Sequence, residues 1–324
     1  MRDDAGSNAS TMLDAIGGTP LVRLRHVVPD DAADVFVKVE GGNPTGSYKD
    51  RMALAMIEGA ERRGILRPGQ RVVDISGGST GSSLAFVCAM KGYPLSIVTS
   101  DAFAAEKLRT MRAFGAELTV VESEGGQITP DLFVRMRVEL RRIVEREHAY
   151  WTDQFNNTDA LIGYDDLGRE LLAQMPPDTA IDAFCAAVGT AGMLVGVASH
   201  LRRHEPGTRV VALEPTSSPT LTSGAGGPHR VEGIATGIVP PLLSGMSDIE
   251  ARTVDETRGR ELALPLARRE GIFAGTSSAV NVAGAIELAR ELGRGRAVVT
   301  VAADSGLKYL AGDLFRTSES LSCA

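Results

Sequence analysis

Residues 71–91 read RVVDISGGSTGSSLAFVCAMK: an apolar β-branched run from Arg71 to Ile75, the glycine-rich turn Ser76 to Gly81, then helical spacing from Thr80 to Lys91. A strand that hands over to a helix through glycines is half of a βαβ unit. The handover recurs later in the chain, where the run Ile181 to Val188 enters the turn Val188-Gly189-Thr190-Ala191-Gly192. Further strand-like runs stand at Val35–Glu40, Leu95–Thr99, Leu118–Glu122, Arg209–Glu214 and Ala297–Ala303. Helical spacing covers Tyr48–Arg63, Ala104–Phe114 and Ala279–Leu292. This alternation predicts an α/β chain with mainly parallel sheets and helices on both faces. The strands are continuous apolar runs, as strands covered on both faces should be. One glycine-rich turn in each half predicts two doubly wound lobes with a cleft between them.

The 324 residues are 43% hydrophobic and 23% charged, which fits a globular chain with a large core. A net charge of -7 excludes a generally basic nucleic-acid surface, and no Lys/Arg block offers a local one. The opening MRDDAGSNAS is polar and acidic where a signal peptide would be basic and then apolar. The uncharged run Ala183–Ala198 is too short and too glycine-rich for a membrane span. Cys88, Cys185 and Cys323 are odd in number and far apart, so neither a disulfide framework nor a cysteine-based zinc site is expected. The expectation is a soluble cytoplasmic protein without membrane or nucleic-acid partners. Thr216–His229 is rich in Gly, Pro and Ser and is expected to be a mobile surface loop near a site. The last eight residues, TSESLSCA, read as a frayed tail.

Several residues could carry chemistry. Lys49 follows the turn Gly42-Asn43-Pro44-Thr45-Gly46-Ser47 and shares an apolar helical stripe with Met52, Ala53, Met56 and Ile57. It reads either as a lysine snorkelling from a helix end or as a desolvated amine with a depressed pKa, the form a Schiff base needs. The turn Val188–Gly192 is either a plain strand–helix connection or a phosphate cradle of backbone N–H groups. No dinucleotide or ATP glycine motif is present. Ser76–Gly81 has two functional readings. It could hold a carboxylate at a helix start, or serve as a hydrolase nucleophile elbow, since Gly77-Gly78-Ser79-Thr80-Gly81 matches G-x-S-x-G. The elbow needs a late histidine, and the last one, His229, stands inside the glycine-rich loop. Asp304-Ser305-Gly306 and Gly275-Thr276-Ser277-Ser278 close a strand and open a helix, positions where open α/β sheets bind ligands or simply cap helices. His200 and His204 share a helix face beside Arg202, Arg203 and Glu205, which reads as solvated, and no metal is assigned.

Taken in order, these segments resemble the cysteine synthase (O-acetylserine sulfhydrylase) and cystathionine beta-synthase group of fold-type II pyridoxal-phosphate enzymes. The resemblance runs from Ile16-Gly17-Gly18-Thr19-Pro20-Leu21 to Asp304-Ser305-Gly306-Leu307-Lys308-Tyr309-Leu310, with Asn43-Pro44-Thr45-Gly46-Ser47-Tyr48-Lys49-Asp50-Arg51 similar to the cofactor-lysine motif. It implies two lobes of the tryptophan synthase beta type, a smaller one over residues 43–153 and a larger one over 1–42 and 154–324. It implies pyridoxal 5'-phosphate bound covalently to Lys49. The cofactor phosphate would lie on Gly189, Thr190, Ala191, Gly192 and Met193, with Ser277 at its pyridine nitrogen. Ser76, Gly77, Thr80 and Gln154 would hold the substrate carboxylate. Gly233, within Gly233-Ile234-Ala235-Thr236-Gly237, would line the closing cleft. A homodimer, and an association with serine acetyltransferase, come with the family as expectations.

The family's T-S-G-N-T-G reads Ser76-Gly77-Gly78-Ser79-Thr80-Gly81 here, and the phosphate loop departs as well. Ser79 stands where the asparagine of T-S-G-N-T-G contacts the cofactor ring hydroxyl and the substrate. Ala191 and Met193 replace a glycine and a threonine of the phosphate loop. Backbone donors survive these changes, so cofactor binding is expected and substrate identity is the open question. The implied reaction is β-replacement on an activated L-serine through an aminoacrylate, with O-acetyl-L-serine and sulfide giving L-cysteine. The alternatives are β-elimination of the serine/threonine dehydratase type and another nucleophile. From other classes stand a serine hydrolase using Ser79 and a non-catalytic amino-acid-binding relative.

Overall fold

The computed structural model describes residues 10–316, apart from Ser247 and the side chain of Pro130. The opening segment 1–9, Cys323 and the tail expected over 317–324 lie outside the described residues.

Among the described residues ten strands form two sheets. The strands are β1 (Leu21–Arg23), β2 (Asp34–Val39), β3 (Val72–Ile75), β4 (Leu95–Ser100), β5 (Glu117–Val121), β6 (Tyr150–Trp151), β7 (Ala183–Ala187), β8 (Arg209–Pro215), β9 (Glu250–Val254) and β10 (Ala297–Ala302). One sheet has the order β1-β2-β10-β7-β8-β9, the other β5-β4-β3-β6. Among the described residues every pairing is parallel except β1 against β2. Every residue of β4, β7 and β10 is buried, the pattern of strands covered on both faces. The expected strands all form, within two residues at each end. Three further strands do form. β1 and β6 are too short to read from sequence, and β9 is an edge strand whose Glu250 and Arg252 pair with Arg209 and Glu291 instead of supplying an apolar run.

The helices are α1 (Lys49–Arg62), α2 (Ser79–Lys91), α3 (Ala105–Ala113), α4 (Pro130–Glu147), α5 (Asp159–Gln174), α6 (Gly192–His204), the short α7 (Thr220–Ser223), α8 (Glu256–Glu261) and α9 (Ala263–Pro265), and α10 (Thr276–Leu292). The start of α4 follows local chemistry: Thr129 Oγ1 accepts from Leu132 N–H at 3.2 Å, with Pro130 just inside the helix. Its buried Leu132, Met136, Leu140 and Ile143 recur at helical spacing and cover Val73 and Val98 of the smaller sheet. Between the two sheets, Met52 and Met56 of α1, Tyr164 and Leu167 of α5, Leu194 and Val197 of α6, Leu84 of α2 and Phe184 of β7 form one apolar cluster. A shared dry core of this size ties the two sheets together.

The Gly/Pro/Ser-rich stretch is anchored at one end. Leu221 and Thr222 N–H donate to the buried carboxylate of Glu214 at 2.7 and 2.8 Å, which starts α7. His200 departs from expectation: it is buried, not on a solvated face. Helix α5 packs on α6, and His200 Nδ1 lies 3.0 Å from Asp165 Oδ2 while its ring stacks on His204 at 4.5 Å. Cys88 and Cys185 are both buried and unbridged. No described helix is long and apolar enough to cross a membrane.

Because the strands run parallel, the C-terminal ends of β3, β7 and β10 each open directly into a loop that the sequence had marked. Those loops begin at Ser76, Val188 and Ala303. Ligands in open α/β sheets bind at such ends.

Candidate active site

The segment before Lys49 is a clamp of buried polar groups. Asn43 accepts from Gly17 N–H at 2.9 Å and donates through Nδ2 to the Glu40 carbonyl at 2.8 Å. Gly46 takes φ +73°, which L side chains rarely adopt. Tyr48 N–H then reaches the Ala303 carbonyl at 3.0 Å, seating the turn against the end of β10. Asp50, buried at the second position of α1, accepts from Thr45 N–H at 2.8 Å and from its hydroxyl at 2.6 Å. Arg51 is buried between Glu40 and Glu170, with Nε 2.7 Å from Glu40 and Nη1 2.8 Å from Glu170. Burial would raise the Glu170 carboxyl, but hydrogen bonds and charge from Arg51, with Lys38 adding to them, hold it down at about 2. The side chains of Asn43, Thr45, Ser47, Asp50 and Arg51 are thus all engaged within the segment or with its neighbours.

Lys49 opens α1. Its Nζ donates to no oxygen among the described residues, and the Tyr48 ring lies 4.9 Å from it. Desolvation with no compensating carboxylate pulls its pKa down to about 8. The residue keeps some surface, because the cleft in front of it is open. That cleft is shared: Lys49 and Tyr48 line it together with Gly189, Thr190, Ala191, Gly192, Met193 and Leu194.

The loop facing Lys49 presents backbone donors to the cleft. The first bond of α6 runs from Val195 N–H to the Ala191 carbonyl, which leaves the N–H groups of Gly192, Met193 and Leu194 without carbonyl partners among the described residues. Ala191 sits at φ +67°, an uncommon conformation for a residue with a Cβ. A Cβ on Gly189 would lie 2.3 Å from the Gly233 carbonyl oxygen, so the two loops meet backbone to backbone. Free helix-start donors opposite an amine whose pKa is lowered suit a phosphorylated aldehyde, so the residues present fit pyridoxal phosphate.

The other turn is organised differently. Ser76 Oγ, ahead of the helix, accepts from Gly78 N–H at 3.2 Å and from Gly81 N–H at 2.9 Å, and so takes up a donor of the first turn of α2. Thr80 donates to Gln154 Oε1 at 2.8 Å, and Gln154 Nε2 reaches the Ile75 carbonyl at 3.2 Å. Ser76, Gly77, Thr80 and Gln154 are therefore brought together. A Cβ on Gly77 would lie 2.1 Å from the Phe103 ring, which packs on this turn. Ser277 is buried at the second position of α10, and its hydroxyl makes no hydrogen bond among the described residues.

Sequence reasoning missed several members of this region. Lys308 Nζ lies 3.2 Å from Ser79 Oγ. Lys107 of α3 pairs with Glu232, one residue before Gly233. Asn281 of α10 accepts from Ala187 N–H at 2.6 Å and donates to the Val301 carbonyl at 2.7 Å, strapping the ends of β7 and β10. Below the Ser76 turn, burial raises Asp74 to about 6, against hydrogen bonds from Thr152, the Ile75 N–H and Trp151. These contacts span 20 to 229 residues and left no local signal.

The nucleophile-elbow reading fails on geometry. Ser79 is not among the residues with positive φ, so the strained elbow conformation is absent there. His229 engages its own loop, with Nε2 3.0 Å from the Ala235 carbonyl and Nδ1 3.3 Å from Val231 N–H. Among the described residues no histidine is hydrogen-bonded to Ser79.

Comparison with known proteins gives the family. Residues 12–304 match the family of pyridoxal-phosphate dependent enzymes. The chain is 40% identical to cysteine synthase of Staphylococcus aureus over 302 residues, covering 93% of this chain and 95% of that one. It is 35% identical to O-ureido-L-serine synthase of Streptomyces lavendulae over 311 residues, covering 94% and 92%. A crystal structure of O-ureido-L-serine synthase superposes with a TM-score of 0.87 at 33% identity, covering 98% of this chain and 99% of that one. With a lysine-bearing cleft that fits the cofactor and these relatives along nearly its whole length, the chain belongs to the pyridoxal-phosphate dependent enzymes, in their cysteine synthase-like group.

Proposed function

We propose that the protein catalyses β-replacement on an activated L-serine, with O-acetyl-L-serine and sulfide as the substrate pair and L-cysteine as the product. The observation that carries the reading is the depressed amine of Lys49 facing the free N–H groups that open α6. The 40% identity to a cysteine synthase supports the choice of substrates.

Pyridoxal phosphate, when bound, supplies an electron sink that acidifies the α-carbon of an amino acid attached to it. The chain's own residues do the rest. Gly189 to Met193 would hold the phosphate through backbone donors, and Lys49 would carry the aldehyde carbon. The Lys49 amine, when free, would serve as the base that takes the substrate's α-proton. Ser76, Gly77, Thr80 and Gln154 would hold the substrate carboxylate, and so fix which α-carbon bond faces Lys49. Ser277 would offer the ring nitrogen a hydroxyl, a weaker acid than a carboxylic acid. Phe103, packed on Gly77, would keep water from the reacting carbons.

The division into a smaller lobe, 43–153, and a larger one, 1–42 with 154–324, belongs to the same proposal. It is supported by a four-stranded sheet drawn entirely from residues 72–151. Relative motion of the lobes would open and close the cleft. A homodimer is proposed as the working assembly.

A second reading keeps the chemistry and changes the nucleophile. It is favoured by Ser79, whose short side chain leaves room, and by a cavity of about 260 Å³ lined by Glu232, Thr276, Lys308 and Tyr309. The experiment is a product assay with O-acetyl-L-serine against sulfide, thiols and amines. L-Cysteine formed fastest supports the first reading, and a faster adduct with an amine or thiol supports the second. No adduct with any nucleophile contradicts both.

A further inference from the structure

Lys308 and Ser79 meet across the cleft from segments 229 residues apart, with Nζ 3.2 Å from Oγ. Lys308 lies in the short turn Gly306–Tyr309 that follows β10. A Cβ on Gly46 would lie 3.6 Å from its Cε, so the side chain runs beside the Lys49 turn. Burial lowers the Lys308 pKa, and the charges of Asp304 and Asp50 act against that. Neither carboxylate is hydrogen-bonded to Lys308: Asp304 Oδ2 accepts from Tyr309 at 2.8 Å while its Oδ1 has no partner among the described residues, and Asp50 accepts from Thr45. Ser79 is the hydrogen-bond partner of the Lys308 ammonium among the described residues.

This pairing sets the direction of the serine hydroxyl. An ammonium has three donors and no acceptor, so Ser79 Oγ accepts from Lys308. The Ser79 O–H is then obliged to donate elsewhere, and no described residue accepts it. A donor polarised by a neighbouring cation is strengthened, and Ser79 also stands at the positive end of α2. Such a donor suits a negatively charged oxygen.

We propose that Lys308 is a positioning residue that locks Ser79 as a one-way hydrogen-bond donor to an anionic oxygen at the start of α2, either the carboxylate of the amino-acid substrate or the ring oxygen of the cofactor. The proposal rests on the β-replacement reading. It explains how a short serine hydroxyl can serve at this position: the cation arriving from the far segment fixes its orientation, which a longer side chain would set by itself.

The test uses the holoenzyme with Lys308→Met, Lys308→Arg, Ser79→Ala and the double variant Lys308→Met/Ser79→Ala. Affinity for L-alanine, which carries no leaving group, and for L-alaninamide, which lacks the carboxylate, is read from the visible spectrum. Affinity of the stripped protein for pyridoxal phosphate is read by equilibrium dialysis. If the oxygen is the substrate's, Lys308→Met weakens L-alanine about tenfold, the size of a lost charge-assisted hydrogen bond, and leaves L-alaninamide unchanged. If it is the cofactor's, pyridoxal phosphate is weakened by a similar factor and the amino compounds follow equally. In either case Lys308→Arg restores most of the loss, and Lys308→Met adds nothing in the Ser79→Ala background. An undiminished loss in that background, or no loss in either assay, overturns the proposal. Should Lys308→Met not fold, Lys308→Gln is read in its place and must lose affinity as Ser79→Ala does; wild-type affinity overturns the proposal. Wild-type protein that takes up no pyridoxal phosphate overturns the β-replacement reading and this proposal together, whereas normal uptake with unchanged variants overturns this proposal alone.

Discussion

The two glycine-rich turns look alike in sequence and differ in what they leave free. At Ser76–Gly81 the helix-start donors are partly engaged, because Ser76 Oγ takes the N–H groups of Gly78 and Gly81. Thr80 is tied to Gln154, and Phe103 covers Gly77. At Val188–Gly192 no side chain caps the helix, and the backbone alone faces the cleft. The first turn offers hydroxyls and a few amides, which suits a monoanionic carboxylate. The second offers a fan of N–H groups at a helix dipole, which suits a phosphate. The same strand–glycine–helix pattern can thus leave different donors free, and the serine hydroxyl at Ser76 makes the difference.

The largest effect should come from the residue both turns serve. Lys49→Ala should lower kcat by about two to four orders of magnitude, the range for removing a positioned base, and abolish covalent cofactor attachment. Retained turnover in purified protein would remove the reason for comparing the turns at all. The pH dependence follows from its pKa of about 8. Attack on the aldehyde needs the neutral amine, so uptake by stripped protein should slow roughly tenfold per pH unit below that value and level off above it. A flat profile between pH 6 and 9 would place the amine's titration elsewhere.

Next come the two close approaches, which should separate the functions of the turns. Gly189→Ala puts a Cβ 2.3 Å from the Gly233 carbonyl. With overpacking at roughly 1–3 kcal/mol, cofactor affinity should fall about ten- to a hundredfold. Gly77→Ala meets the Phe103 ring at 2.1 Å and should weaken amino-acid binding with the cofactor retained. Phe103→Ala should recover much of that loss, since a side chain can yield where a backbone cannot. Equal loss of cofactor in both variants would mean that the turns do not divide their ligands.

A smaller effect tests the capping difference. Ser76→Ala removes the acceptor for two N–H groups and should lower unfolding stability by about 1 kcal/mol, measured by denaturant titration. The smallest is Ala191→Gly, which relieves a left-handed Ala at φ +67°. The relief, roughly 1–2 kcal/mol, is offset by added freedom in the unfolded chain, so stability should stay level or rise slightly. Ala198→Gly, within the body of α6, should lower it instead. Similar losses at both positions would refute the strain at Ala191.

Local pattern carried most of the fold. Apolar runs such as Leu95–Thr99 and Ala297–Ala303 are legible because doubly covered strands admit few polar residues. Lys49 was legible because an apolar stripe and a turn motif converge on it. Ser79 meeting Lys308, Lys107 meeting Glu232 and Asn281 strapping two strand ends were not, since each depends on which strand ends lie side by side. His200 was misread because its charged neighbours Arg202 and Arg203 suggested a solvated face, whereas the packing of α5 against α6 buries the imidazole. Periodicity describes an element's faces and is silent on which element covers them.

The central claim is that Lys49, between the two turns, carries the cofactor. Borohydride reduction of the protein with pyridoxal phosphate, followed by peptide mapping, tests it most directly. The account predicts stoichiometric pyridoxyl label on Lys49 alone, diminished when O-acetyl-L-serine is added before the reductant. Label on Lys308 or Lys107, or no stable label at all, would contradict it.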